Sequence, residues 1–145
     1  MYFPVTETSE QFPLGLTGEA TVQVGPELTA RHLGSGAVGV FATPEMVRIM
    51  ERAAVNALLP HLRPGQQSVG VLVNVRHLAA TPLGATVTAR AELIAVDGRR
   101  LTFRVSAHDG IEAIGEGLHE RAIIDLARFE AKAQAKRQAL GAAEK

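Results

Sequence analysis

Polar and apolar residues alternate along much of five stretches of the chain. This period of two predicts five β-strands, because successive side chains of a strand point to opposite faces. The five stretches are residues 16–24, 69–77, 87–93, 101–107 and 111–124. Asp97-Gly98 and Asp109-Gly110 separate the last three and are typical of tight hairpin turns. The four C-terminal strands are therefore predicted to form an antiparallel meander.

Apolar residues at helical spacing predict one long helix between the first strand and the other four. Its apolar face contains Val47, Met50, Ala54 and Leu58. The helix is predicted to begin at Thr43-Pro44-Glu45, with Thr43 as the N-cap and Pro44 at the first helical position. Pro60 ends the helix, because proline cannot continue it.

The order of these elements predicts an α+β fold. A single sheet with one apolar face must be covered, and the central helix supplies the cover. A long helix wrapped by a curved antiparallel sheet is the hotdog fold. We expect a loosely attached arm at residues 1–15, the hotdog domain at residues 16–125 and a short C-terminal helix or frayed tail at residues 126–145. Open sheet edges in so small a domain predict dimerisation.

The composition excludes several kinds of function. Of 145 residues, 15 are basic and 15 acidic, and this balance argues against nucleic-acid binding. The chain has no cysteine, which excludes disulfides, thiolate catalysis and cysteine-ligated metals. It shows no targeting signal and no apolar run long enough to span a membrane. By elimination we expect a cytoplasmic protein that binds neither nucleic acid nor membranes.

Two titratable residues stand where the pattern favours apolar ones. Glu51 borders the apolar face of the helix, and His77 continues a strand face otherwise made of valines. A buried carboxylate is costly unless it is paired or used chemically. The structural alternatives are a Glu51 that reaches water at the rim and a His77 that is hydrogen-bonded in the core or at an edge.

Other positions carry weaker signals. Gly70, in a valine-rich strand, indicates a bulge, close packing or a place where a ligand meets backbone N–H groups. Arg121, in the last strand, is compatible with a surface ion pair of little energetic value. The glycine-rich residues 31–39 predict a flexible loop and match neither a nucleophile elbow nor a phosphate-binding loop. The histidines lack zinc-site spacing, so no metal is expected.

Four separated segments resemble the fluoroacetyl-CoA thioesterase family, a branch of the hotdog fold. They are residues 40–51, 76–82, 98–110 and 117–122. The resemblance extends over about residues 16–137. It implies that Thr43, Glu51 and His77 form the catalytic set, that Gly70 lies near the thioester carbonyl and that Arg121 is functionally important.

The resemblance also implies an activity and an assembly. A small acyl-CoA thioester is hydrolysed to the carboxylic acid and CoA at a homodimer interface, without a metal or cofactor. The dimers themselves remain single or pair into tetramers. Fluoroacetyl-specific members carry an insertion with phenylalanines before the threonine-bearing segment, and here that place is taken by Leu33–Gly39 without an aromatic residue. We therefore do not expect fluoroacetyl specificity.

Thioester cleavage needs an attacking group, a stabilised oxyanion and a proton for the leaving thiolate. Glu51 suits the first need, as nucleophile or as general base, and His77 suits the last as a proton shuttle. This mechanism requires the helix carboxylate and the sheet-edge imidazole to converge on one crevice.

The main alternative is a hotdog module that binds acyl-CoA or a small ligand without catalysis. An enoyl-CoA hydratase is disfavoured because Asp97, Asp109 and Asp125 do not provide its Asp and His pair.

Overall fold

The computed structural model describes residues 10–143, and its long elements follow the predicted order. The strands are β1 (Thr17–Gln23), β2 (Gln66–His77), β3 (Thr86–Asp97), β4 (Arg100–His108) and β5 (Ala113–Asp125). The long helices are α1 (Thr43–Leu58) and α2 (Leu126–Ala143). Shorter helical turns lie at Pro26–Leu28, Ala30–Leu33 and Leu59–His61. The predicted α+β class is confirmed.

The strands form one antiparallel sheet in the order β1-β3-β4-β5-β2. β3, β4 and β5 form a meander, and Asp97 faces Arg100 across the first turn, where Gly98 has a left-handed φ of 60°. The prediction that β2 belongs to this meander is wrong, because β2 pairs with β5. β1 occupies the other edge of β3. The alternation of side chains identifies β2 as a strand but does not identify its neighbour.

Helix α1 lies in the concave face of the curled sheet. Its buried residues are Met46, Ile49, Met50, Ala53, Ala54, Ala57 and Leu58. They pack with inward side chains of the sheet such as Leu93, Phe103 and Ile123. Each large side chain buried in this way contributes about 1.5–3 kcal/mol. The sheet approaches the helix closely at Gly18, where a Cβ atom would lie 2.2 Å from the carbonyl oxygen of Ala53.

The start of α1 differs from the prediction. Ala42, with extended φ and ψ of −78° and 141°, is the N-cap, and Thr43 is already helical. The carbonyl of Ala42 accepts hydrogen bonds from the N–H groups of Glu45 and Met46 at 3.1 and 3.0 Å. No side chain caps this helix. The prediction of Thr43 as N-cap is therefore wrong, and its hydroxyl is available for another partner.

The two ends of the predicted hotdog domain are attached differently. Phe12 lies in the predicted loose arm but is fully buried in the core. The prediction is therefore wrong for the last part of this segment, which is held by apolar packing. Residues 1–9 lie outside the described part of the chain. Helix α2 has no buried residue and starts directly after β5, where the N–H of Leu126 donates to the carbonyl of Gly65 at 2.9 Å. Within residues 10–143 no helix has the length and apolar character needed to cross a membrane. The domain boundaries stay predictions.

Candidate active site

The hydroxyl of Thr43 and the ring of His77 form the first polar cluster. Thr43 opens α1 and His77 closes β2, and their Oγ1 and Nδ1 atoms are 2.7 Å apart. The other ring nitrogen, Nε2, is buried and makes no well-formed hydrogen bond. Burial lowers the pKa of His77, and the backbone of Ala79 opposes that shift to a smaller extent. The imidazole is therefore neutral at neutral pH.

This first cluster lines a cavity of about 360 Å³. Phe41 and the alanines that follow His77 form part of its wall, and Ser35 of the glycine-rich segment contributes as well. Apolar side chains thus share these walls with one neutral imidazole and the hydroxyls of Ser35 and Thr43.

Glu51 and Arg121 belong to a second cluster. Arg121 is only 6% exposed, and its Nη1 atom donates to Oε2 of Glu51 at 3.4 Å. Its Nε and Nη2 atoms donate to the hydroxyl and carbonyl oxygens of Ser68 at 2.9 and 3.1 Å. The surface ion pair considered for Arg121 is therefore wrong, whereas the Glu51 side chain keeps 40% of its exposure and does reach water. Burial lowers the pKa of Arg121 and the Glu51 carboxylate raises it; a guanidinium stays charged under these conditions.

Gly70 faces this second cluster from β2. A Cβ atom at Gly70 would lie 2.6 Å from Oε2 of Glu51, so the carboxylate occupies the space that a side chain would need. The register of β2 against β5 shifts between Gly70 and Leu72, so the predicted bulge is confirmed. A bulge leaves its extra residue, here Val71, unpaired in the ladder. The Glu51 carboxylate thus lies beside irregular backbone at an edge strand.

His119 is a member of the second cluster that the sequence analysis missed. It is 1% exposed, its Nδ1 lies 2.8 Å from the carbonyl of Leu72, and its Nε2 lies 3.1 Å from Nη1 of Arg121. Its Nε2 also lies 4.0 Å from Oε2 of Glu51. These two side chains do not form an ion pair, because burial lowers the pKa of His119 and keeps its ring neutral. The available signal was the alternation itself, which puts His119 and Arg121 on the same inward face of β5.

The two clusters do not meet within one chain. Gly70 and His77 are separated by 7 residues of β2, a distance of about 23 Å at the usual rise of a strand. The cavity beside Glu51 and Arg121, of about 450 Å³, is bounded by β1 and the outer side of α1 and shares no residue with the cavity beside His77. A single chain therefore does not bring Glu51 and His77 together in one crevice, as the expected mechanism requires.

Neither cluster supplies a metal site. Among the described residues, no group of three or more histidine, aspartate and glutamate side chains is placed to hold a metal ion.

Comparison with known proteins places the chain among thioesterases. The family model described as fluoroacetyl-CoA-specific thioesterase matches residues 24–127. A fluoroacetyl-CoA thioesterase from Streptantibioticus cattleyicolor is 51% identical in an alignment of 119 positions, which covers 78% of this chain and 86% of that protein.

Solved structures agree with this placement. A single-residue variant of a fluoroacetyl-CoA-specific thioesterase, solved in complex with fluoroacetate and CoA, is 49% identical, with a TM-score of 0.75 over 80% of this chain and 98% of that one. A hypothetical protein of Thermus thermophilus, described as a thioesterase superfamily member, is 33% identical, with a TM-score of 0.85 over 90% of this chain and 97% of that one. The hotdog fold is thereby confirmed, and the chain belongs to the fluoroacetyl-CoA-specific thioesterase family.

Proposed function

We propose that this protein hydrolyses a small acyl-CoA thioester to the carboxylic acid and CoA, using Thr43, Glu51 and His77 as catalytic residues and no metal or cofactor. Family membership supports the reaction. The observation that carries the residue assignment is the buried Arg121, which holds the Glu51 carboxylate against the side-chain-free backbone of Gly70. A carboxylate in that position can reach a flat acyl group lying on the strand.

Glu51 starts the reaction in one of two ways. It attacks the thioester carbonyl to form an anhydride that water then opens, or it removes a proton from the attacking water. In both cases an oxygen–carbon bond forms, the carbon–sulfur bond breaks, and the leaving thiolate takes a proton. Backbone N–H groups at the bulge after Gly70 stabilise the developing oxyanion, and one such donor is typically worth about 2.7–4 kcal/mol.

His77 relays a proton to the leaving thiolate: its neutral ring accepts the proton that the attacking water gives up, directly or by way of Glu51, and passes it to the sulfur. Its Nε2 is buried, so the ring exchanges protons through Nδ1, where the hydroxyl of Thr43 is bound. A hydroxyl both donates and accepts, and Thr43 can therefore pass a proton between the imidazole and the sulfur.

A second copy of the chain brings the two clusters together. β2 is an edge strand whose residues Val71, Leu72 and Val73 are 48%, 44% and 43% exposed. Exposed apolar edge strands favour pairing with another chain. In an antiparallel pair related by a twofold axis between residues 73 and 74, position 77 of one chain faces position 70 of the other. The partner subunit's His77 then lies beside Glu51.

The experiment tests catalysis and assembly together. Glu51→Ala and His77→Ala are each expected to lose hydrolysis of a panel of acyl-CoA substrates, followed by CoA release with a thiol reagent. Mixing and reassembling the two inactive variants is expected to restore about a quarter of wild-type activity, because half of the dimers are mixed and each contains one intact site.

The control mixes Glu51→Ala with the double variant Glu51→Ala/His77→Ala, which cannot form an intact site. Loss of activity in both single variants without recovery on mixing would reject the shared site. Wild-type turnover in either variant would reject the catalytic role of the residue it lacks. No turnover of any acyl-CoA on the panel by the wild type would favour a module that binds acyl-CoA without hydrolysing it. A tetramer built from dimers and a cytoplasmic location stay predictions.

A further inference from the structure

We propose that His119 is a positioning residue that holds Arg121 in the orientation needed to direct Glu51, and ties both to the bulge of β2. This proposal rests on the proposed function of Glu51. His119 is 1% exposed, so it has no surface to offer a substrate and can act only through its neighbours.

The hydrogen bonds of His119 fix its tautomer. The carbonyl of Leu72 can only accept, so the Nδ1 atom 2.8 Å away must carry the hydrogen. Burial and the nearby charge of Arg121 both lower the pKa of His119, and the ring is therefore neutral. In a neutral ring with hydrogen on Nδ1, Nε2 is an acceptor, and it receives the hydrogen bond of Nη1 of Arg121 at 3.1 Å.

This acceptor determines where the guanidinium points. Ser68 engages the Nε and Nη2 atoms, while Nη1 lies between Nε2 of His119 and Oε2 of Glu51, at 3.1 and 3.4 Å. A positively charged or apolar side chain at position 119 would leave Nη1 without its shorter bond. A neutral imidazole instead accepts the hydrogen bond of the arginine and places no second positive charge beside the guanidinium.

The hydrogen bond from Nδ1 of His119 to the carbonyl of Leu72 connects the side chains of His119, Arg121 and Glu51 to the backbone beside the reacting carbonyl. Leu72 is the residue at which pairing with β5 resumes after the bulge. His119 therefore links the position of the bulge amides to the position of the Glu51 carboxylate. Partners that orient metal-ligating side chains typically account for about 10–100-fold of activity, and we expect an effect of the same order from His119.

Two substitutions separate the two hydrogen bonds. The amide nitrogen of Asn occupies the place of Nδ1, and the amide oxygen of Gln occupies the place of Nε2. His119→Asn is thus expected to keep the bond to Leu72 and lose the acceptor for Arg121, lowering kcat by about 10–100-fold with little change in KM. His119→Gln restores the acceptor and is expected to recover most of kcat.

A double substitution tests whether His119 acts through Arg121. Adding His119→Asn to Arg121→Met is expected to lower kcat no further than Arg121→Met alone, because residues that act as a unit are not additive. His108→Asn, at an exposed histidine near the far end of β4, is the matched control and should keep wild-type kcat. Thermal melting checks that each variant is folded.

Wild-type kcat in folded His119→Asn, or additive losses in the double variant, would overturn the proposal. Glu51→Ala is measured in parallel. An inactive Glu51→Ala with a fully active His119→Asn rejects only the role of His119, whereas an active Glu51→Ala rejects the proposed catalytic role of Glu51, on which this inference rests.

Discussion

The hydroxyl of Thr43 lies 2.7 Å from Nδ1 of His77, and this hydrogen bond joins the first residue of α1 to the last residue of β2. The threonine can make it because Ala42 is the N-cap at the start of the helix and leaves the Thr43 side chain free. A side chain that would ordinarily serve the helix is instead used to hold an imidazole.

Thr43→Val should therefore affect catalysis more than folding. Loss of the hydrogen bond is expected to lower kcat by about 10–100-fold. Loss of an N-cap side chain typically costs about 1 kcal/mol, and because Thr43 is not the N-cap, the free energy of unfolding should change by less than that. Steady-state hydrolysis and urea denaturation measure the two effects. Thr43→Ser keeps the hydroxyl and should retain activity; equal activity of the Val and Ser variants would contradict the role of the hydroxyl.

Gly70→Ala should displace the Glu51 carboxylate. The new Cβ atom would lie 2.6 Å from Oε2 of Glu51, which is the mobile end of a half-exposed side chain, so the fold can adjust but the carboxylate cannot stay. We expect a fall in kcat of about 100-fold, the usual cost of moving a reacting group by about 1 Å. Gly141→Ala, where a Cβ atom meets nothing within 4 Å, is the control. Unchanged kcat in Gly70→Ala would show that Glu51 does not work at this place.

A half-buried histidine, His77, and a buried one, His119, should make the protein less stable in mild acid. Burial lowers the pKa values of His77 and His119 below the ordinary 6.5, so the unfolded chain binds protons first as the pH falls. The neutral histidines therefore make their full contribution to the free energy of unfolding above pH 6.5. This contribution is lost as the pH falls from 6.5 through the lower pKa values of the folded state.

Urea denaturation at about pH 7.5 and about pH 5.5 measures this loss. Folded His119→Asn should lose part of the pH dependence, because its side chain does not titrate. An identical pH dependence in wild type and variant would contradict the buried neutral state of His119.

The segment before α1 should not confer preference for fluoroacetyl-CoA. A helical turn, Ala30–Leu33, capped by the hydroxyl of Thr29, replaces the first part of the predicted flexible loop, and Gly34 ends it with a left-handed φ of 73°. Residues 35–38 are exposed, residues 39 and 40 are half-buried, and none of them is aromatic. We expect kcat/KM for fluoroacetyl-CoA and acetyl-CoA to differ by less than about tenfold, since such a site distinguishes small isosteres poorly. A preference of several hundredfold would show that another part of the site selects fluorine.

Much of the fold follows from short-range patterns. The extent of β4 and the turn at Gly98 agree with the predictions because alternation and turn chemistry depend on residues that are adjacent in the chain, whereas β3 runs four residues beyond its predicted end, to Asp97. The bulge at Gly70 was likewise indicated by a glycine within a valine-rich strand. The N-cap of α1 was misjudged because Thr43 is a suitable cap by type, and only the tertiary partner His77 gives its hydroxyl a different use.

The sequence by itself determined the strands, the central helix, the hotdog class and five candidate residues, since these depend on local periodicity and on the resemblance of separated motifs. The tertiary structure decided which residues share a cluster. Arg121 and Glu51 are 70 positions apart in the chain, and His119 and Leu72 are 47 apart. Such contacts form only when the sheet curls around α1 and β2 reaches the edge of β5. The same fold places the Glu51 carboxylate beside Gly70 and leaves His77 at the end of β2. About 23 Å of extended strand separates these two positions, which is too far for side chains of one chain to span.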